Sequence, residues 1–115
     1  MTDDEINVAV CRDVLGWAPH HGGDGLPCAW DGDEGMHYAG TPDFCNDWTA
    51  FGLLHTAMVA VNQDVEITSW MTPGGAMTWV EVIGAVRTKA TDPRPGRALA
   101  LAAIEAYTQT KEEVR

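Results

Sequence analysis

The chain has 115 residues, 45% of them apolar, and seventeen Asp and Glu against seven Lys and Arg give it a net charge of -10. That length suits a single domain spanning 1–115, burying roughly 65% of its unfolded surface. The charge argues against direct binding to nucleic acid or to an anionic membrane, both of which call for positive patches. The start MTDDEINV lacks the basic residues and apolar run of a signal peptide, and no apolar stretch reaches the ~18 residues of a membrane span. The odd cysteine count, Cys11, Cys28 and Cys45 with no close pair, reads as free thiols in a cytoplasmic setting.

In chain order, Thr2-Asp-Asp-Glu5 fits a capping box, a hydroxyl at the N-cap and a carboxylate three residues on. The helix it opens is predicted to run to about Leu15, with Ile6, Ala9, Val10 and Val14 on one face and Gly16 as its stop. Residues 19–40 are punctuated by glycine, which predicts a loop from Pro19 to Pro27 and then a short hairpin. Its strands would be Cys28-Ala-Trp30 and Met36-His-Tyr-Ala39, joined by Gly32-Asp-Glu-Gly35. A second helix follows from about Asn46 to Asn62, with Thr41, Asp43 or Asn46 as its cap. Trp48, Phe51, Leu54 (or His55), Met58 and Val61 form its apolar stripe, and Trp48 and Trp17 read as core.

Asp64 to Met71 alternates as a strand, with Val65, Ile67, Ser69 and Met71 on one face and Glu66, Thr68 and Trp70 on the other. Thr72-Pro-Gly-Gly-Ala76 is a turn, and Met77 to Val86 is the returning strand, which Arg87-Thr-Lys-Ala90 extends before Asp92-Pro93 ends it. The last helix starts near Pro95 and runs to about Thr110, leaving 111–115 as a frayed tail. Its ALALAAIEAY is apolar nearly all round and requires burial. The order is helix, short strands, helix, hairpin, helix. This is an α+β fold, an antiparallel sheet covered by helices.

Three stretches carry a resemblance to a family. They are Cys11-Arg-Asp-Val-Leu-Gly-Trp17, a helix ending in Gly-Trp; Pro42-Asp-Phe-Cys-Asn-Asp-Trp48, a proline-led entry to an amphipathic helix; and Arg94-Pro-Gly-Arg-Ala-Leu-Ala-Leu-Ala-Ala-Ile-Glu-Ala106, a proline loop into an alanine-rich helix. In order and spacing they resemble the phage ABA sandwich domain, and the likeness spans nearly the whole chain. It implies an α-β-α layering, a phage origin and, with that, the cytoplasm of the host cell. It implies no catalytic residue. The family's longer polar segment before the second helix is replaced here by a glycine-rich, acidic one.

Four of the seven bases, Arg87, Lys89, Arg94 and Arg97, fall within eleven residues around the start of the last helix. Free amides at a helix N-terminus favour anions, and arginine adds bidentate contacts. Arg87, Arg94, Gly96 and Arg97, with the aromatic Trp70, are therefore the expected site for a nucleotide-like small molecule. Asp24, Asp31, Asp33 and Glu34 form an acidic surface suited to a basic face of a host protein. The histidines His20, His21, His37 and His55 show no H-x3-H or H-E-x-x-H spacing and the cysteines no C-x2-C, so neither metal nor cofactor is expected. No pair of groups meets the requirements of acid–base or nucleophilic catalysis. The expected activity is non-catalytic: a phage accessory protein, a homo-oligomer, that counters host defence by sequestering a nucleotide-like immune signal. The alternatives are an acidic inhibitor of a host defence enzyme or nuclease, and a structural or assembly protein of the phage particle.

Overall fold

A computed structural model describes residues 1–23, 25–61 and 63–113. The fold is α+β: three helices and two antiparallel three-stranded sheets. Helix α1 (Asp3–Ala9) begins with the capping box in full, Thr2 Oγ1 accepting from the Glu5 amide at 3.2 Å and Glu5 accepting from the Thr2 amide at 3.1 Å. It continues through Val10–Val14 as a wider π-helical turn that ends with the Leu15 amide on the Val10 carbonyl at 2.9 Å. Gly16 then adopts φ +68°, the left-handed stop that glycine tolerates.

The first sheet holds β1 (Ala18–His21), β2 (Pro27–Asp31) and β3 (His37–Ala39) in that order. The hairpin β2–β3 was legible in the sequence. Strand β1 corrects the loop expected from Pro19 to Pro27: His20 and Pro19 pair across to Ala29 and Trp30. On β2, Trp30 is fully buried and donates its indole N–H to Thr41 Oγ1 at 2.9 Å. Trp17 is buried and stacks on Tyr38 at 4.5 Å between ring centroids.

Helix α2 (Trp48–Ala60) is capped by Asp47, which accepts from the Thr49 amide, rather than by Thr41, Asp43 or Asn46. Ala50, Leu54 and Met58 form its buried face. Trp48, expected in the core, is 69% exposed, and Val61 also faces solvent. The buried line runs through Ala50, Leu54 and Met58 at i, i+4 spacing, and Trp48, two residues before Ala50, falls on the far side of the helix.

The second sheet holds β4 (Asp64–Thr72), β5 (Gly75–Ile83) and β6 (Arg87–Asp92). The β4–β5 hairpin turns at Thr72–Gly75. The returning strand does not run on through Arg87. The chain reverses at Gly84–Val86, where the Gly84 amide bonds the Val86 carbonyl, and β6 pairs back along β5. The buried residues Thr78, Val80, Val82, Thr88 and Asp92 share one face of this sheet. The opposite face carries Glu66, Thr68, Trp70, Met77, Trp79, Glu81 and Lys89, none of them buried.

Helix α3 (Pro95–Glu113) lies on the buried face, packing on β5, β6, α1 and α2. It runs through 111–113, which were expected to fray; the rest of that tail lies outside the described residues. Ala98, Leu99, Ala100, Ala102, Ala103 and Ala106 are buried, so the apolar circumference has the surroundings it requires. Alanine lets these elements approach closely, and buried Thr88 donates to the Ala102 carbonyl at 2.7 Å. At Gly96 the helix closes on backbone: a Cβ there would stand 2.1 Å from the Phe44 carbonyl oxygen. At Gly52, on exposed α2 surface, a Cβ would meet nothing within 4 Å.

These two glycines predict opposite outcomes in urea denaturation. Gly96→Ala destabilises by about 1–3 kcal/mol, the usual cost of forcing atoms into a packed site. Gly52→Ala stabilises by about 0.5–1 kcal/mol, because alanine has less backbone freedom to lose in a helix interior.

Candidate functional site

The start of α3 is where the sequence concentrates its arginines, and the fold turns both onto carboxylates of the same chain. Arg94 occupies the position before the first turn, its carbonyl accepting from the Ala98 amide at 3.1 Å. Its guanidinium grips Asp3 with two donors, Nη2 to Oδ1 at 3.0 Å and Nη1 to Oδ2, and Nη1 also donates to Asn46 Oδ1 at 3.0 Å. Arg97 donates to Asp3 Oδ1 at 3.2 Å, to Asp92 Oδ2 at 2.9 Å and to the Met1 carbonyl at 3.0 Å. Asp92 also receives the Arg94 amide on Oδ1 at 2.9 Å, so it caps the entry to the helix. The two arginines thus fasten α1, the 43–46 turn and β6 to α3. The Arg94 hydrogen bond holds the Asp3 carboxyl down at about 2, and the Asp3 and Asp92 hydrogen bonds raise Arg94 and Arg97 respectively.

The other residues expected at this site lie elsewhere. Arg87 is at the far end of β6 from Asp92, about 17 Å along an extended strand, and sits 4.0 Å from Glu81. Trp70 is on the open face of the second sheet, opposite the face that carries Asp92. Gly96 admits a close approach, and what approaches is the backbone of Phe44 and Cys45. A shallow hollow of about 140 Å³ remains between Arg94, Pro95, Gly96, Asn46 and the Trp48 and Phe51 rings. It is smaller than the ~300–1,000 Å³ of ordinary ligand pockets.

A larger cleft, about 780 Å³, opens between α1, Leu26–Pro27 and the 41–46 segment. Asp3, Asp4, Glu5, Asn7, Thr41 and Asp43 line it, together with Arg12 and the apolar Val8, Ala9, Leu26 and Pro27. Arg12 is already held by Asp13, Nε to Oδ1 at 2.9 Å and Nη2 to Oδ2 at 3.0 Å. Asn7 is 5% exposed and donates its amide nitrogen to Asp43 Oδ1 at 3.1 Å. Only the NH2 can donate to a carboxylate, so the orientation of the amide is fixed. Its Oδ1 is then a buried acceptor with no partner among the described residues. Sequence reading missed this cleft, since its acids come from the first turn of α1 and from a loop some forty residues on.

Of the acids expected at a protein-binding surface, Asp24 lies outside the described residues. Asp33 and Glu34 are exposed in a tight turn, where Glu34 takes φ 56°. Asp31 is also exposed but is engaged by two imidazoles, His20 Nε2 at 2.8 Å from Oδ2 and His37 Nδ1 at 3.0 Å from Oδ1. The His37 contact, then the His20 contact, lowers its pKa. The expectation of no metal site rested on local ligand spacing. The sheet register supplies what that spacing lacks, one group from each of three strands. Cys11 and Cys45 are buried thiols pushed up to about 12 and about 11, mainly by desolvation, and neither suits a nucleophile at neutral pH. No family model, curated protein or solved structure matches the chain.

The Asp3 clamp sets a pH dependence. A carboxyl held near 2 when folded and at its ordinary 3.8 when unfolded stabilises the fold above pH 3.8, and that contribution disappears as pH falls through 2. Asp3→Asn therefore lowers the melting temperature at neutral pH. The gap from the wild type narrows as pH drops from 4 towards 2, as thermal melts across that range will show.

Proposed function

We propose that this chain is a non-catalytic binding protein whose acidic cleft takes a basic segment of another protein, an inhibitor-like mode of action. The observation that carries the proposal is the make-up of the cleft. Four carboxylates line it, Asp3, Asp4, Glu5 and Asp43, of which Asp3, Glu5 and Asp43 already accept hydrogen bonds within the fold; the Asn7 Oδ1 has no partner among the described residues, and the Arg12 guanidinium is spent on Asp13. Four carboxylates beside the apolar Val8, Ala9, Leu26 and Pro27 suit a ligand that carries donors on an aliphatic stem, and arginine and lysine are the side chains of that kind. The net charge of -10 would add long-range steering of a basic partner. A host defence enzyme or nuclease, whose nucleic-acid face is basic, has the right chemistry, and the phage-domain resemblance fits such a target. Self-association belongs to the same proposal, through the open sheet face that carries Trp70, Met77 and Trp79.

Sequestration of a nucleotide-like signal is the second reading. What favours it is the hollow beside Arg94, where Trp48, 69% exposed, offers a ring on which a base could stack. What weighs against it is that a phosphate would have to compete with Asp3 for Arg94 and with Asp3 and Asp92 for Arg97.

Amide NMR titration with a short arginine-rich peptide distinguishes the two. The first reading predicts shifts concentrated at Asp4–Ala9 and Thr41–Asn46, weakened by salt and by Asp4→Lys. Shifts confined to the open sheet face, or indifference to Asp4→Lys, would contradict it. In parallel, cyclic dinucleotides at 100 times a true dissociation constant would stabilise by ~2.7 kcal/mol. The first reading predicts no such shift.

A further inference from the structure

We propose that His20, Asp31 and His37 form a binding site for a divalent transition-metal ion of the zinc class. The residues come from β1, β2 and β3 and share one face of the first sheet. Asp31 pairs directly with His37 across β2–β3 and with Ala18 across β1–β2, and His20 lies two residues from Ala18 on the same side. Trp30, the next residue on β2, points the other way into the core, which fixes the register and hence the face. One nitrogen from each histidine and a carboxylate oxygen of Asp31 all fall within 4.8 Å of one another.

That spacing suits coordination. Zinc holds imidazole nitrogen and carboxylate oxygen at about 2.0–2.2 Å, which places tetrahedral ligand atoms about 3.3 Å apart. The two nitrogens already flank the carboxylate at 2.8 and 3.0 Å, so small side-chain rotations bring all three onto one ion. Two neutral nitrogens and one carboxylate select a borderline ion over calcium or magnesium, which prefer oxygen. The side chains are 53%, 52% and 57% exposed, so the remaining coordination positions open to solvent. The ion would tie together the three strands of the smaller sheet, while the binding cleft around α1 is built from other residues.

The chemistry separates this site from the other thiol and imidazole groups. Cys28 is exposed but sits at the register shift between β1 and β2, with its Sγ on the His20 carbonyl at 3.3 Å, and is not one of the clustered groups. His21 is exposed and belongs to no such cluster among the described residues. His55 stacks on Phe51 in α2.

The test is calorimetric titration of the untagged full chain with Zn²⁺, with Co²⁺ absorption as a spectroscopic readout and Mg²⁺ as the comparison ion. The expected result is one ion per chain, a raised melting temperature and a Co²⁺ spectrum of mixed nitrogen and oxygen ligation. His20→Ala and His37→Ala should each weaken Zn²⁺ binding by on the order of 100-fold, at least as much as the loss of an outer-shell partner costs. His21→Ala should leave it unchanged, and near-UV circular dichroism should confirm that all three variants are folded. Asp31→Asn gives a near-isosteric check should either histidine variant unfold. Absence of Zn²⁺ binding, binding matched by Mg²⁺, or binding that survives in His37→Ala or is lost in His21→Ala would overturn the proposal.

Discussion

The fold depends on one charge network, the pairing of Arg94 and Arg97 with Asp3 and Asp92. Helix α3 is buried on most of its circumference, so its entry is set among other elements and its first turn needs partners there. Asp92 takes the Arg94 amide, and the two guanidiniums carry the connection onward to Asp3, Asn46 and the Met1 carbonyl. Four charges of alternating sign leave few unmet hydrogen bonds, which is the condition under which partly buried ion pairs stabilise a fold. Gly96 belongs to the same arrangement, since only a missing Cβ lets α3 close onto the Phe44 carbonyl.

This arrangement has a consequence for function. An acidic protein with few cations has used its most clustered ones internally, which leaves a surface of acceptors. The cleft beside α1 is the concave form of that surface, with four carboxylates in its lining and, next to them, an Asn7 Oδ1 that has no partner among the described residues. On the first sheet the Asp31 carboxylate lies between two imidazoles, where a cation would add charge of the opposite sign. Both proposals therefore follow from one imbalance.

Local signals carried the architecture. The capping box at Thr2–Glu5, the β4–β5 turn and the apolar circumference of α3 could be read from neighbouring residues, because the physics that forms them is local. Strand β1 was hidden, since Pro19-His-His21 has no strand pattern of its own and its partner is β2, whose Trp30 is buried. The third strand of the second sheet was hidden by Gly84–Val86, a turn without proline or a glycine pair. Trp48 was misplaced because apolar spacing cannot say whether alanine or tryptophan will seat the helix. The sites were the least legible. A cluster of arginines in sequence does not reveal the carboxylate that each will meet, and Asp3 lies 91 residues from Arg94. Likewise the His20, Asp31 and His37 group exists only through register.

The central claim is that Arg94 is a structural group bound to Asp3. A double-mutant cycle of Asp3→Asn and Arg94→Gln, followed by urea denaturation near neutral pH, tests it most directly. The account predicts that each single variant is destabilised and that the double variant is scarcely worse than the more damaging single one, the signature of residues acting as a pair. Additive losses, or an Arg94→Gln variant as stable as the wild type, would contradict it and return Arg94 to the surface as a group available to a ligand.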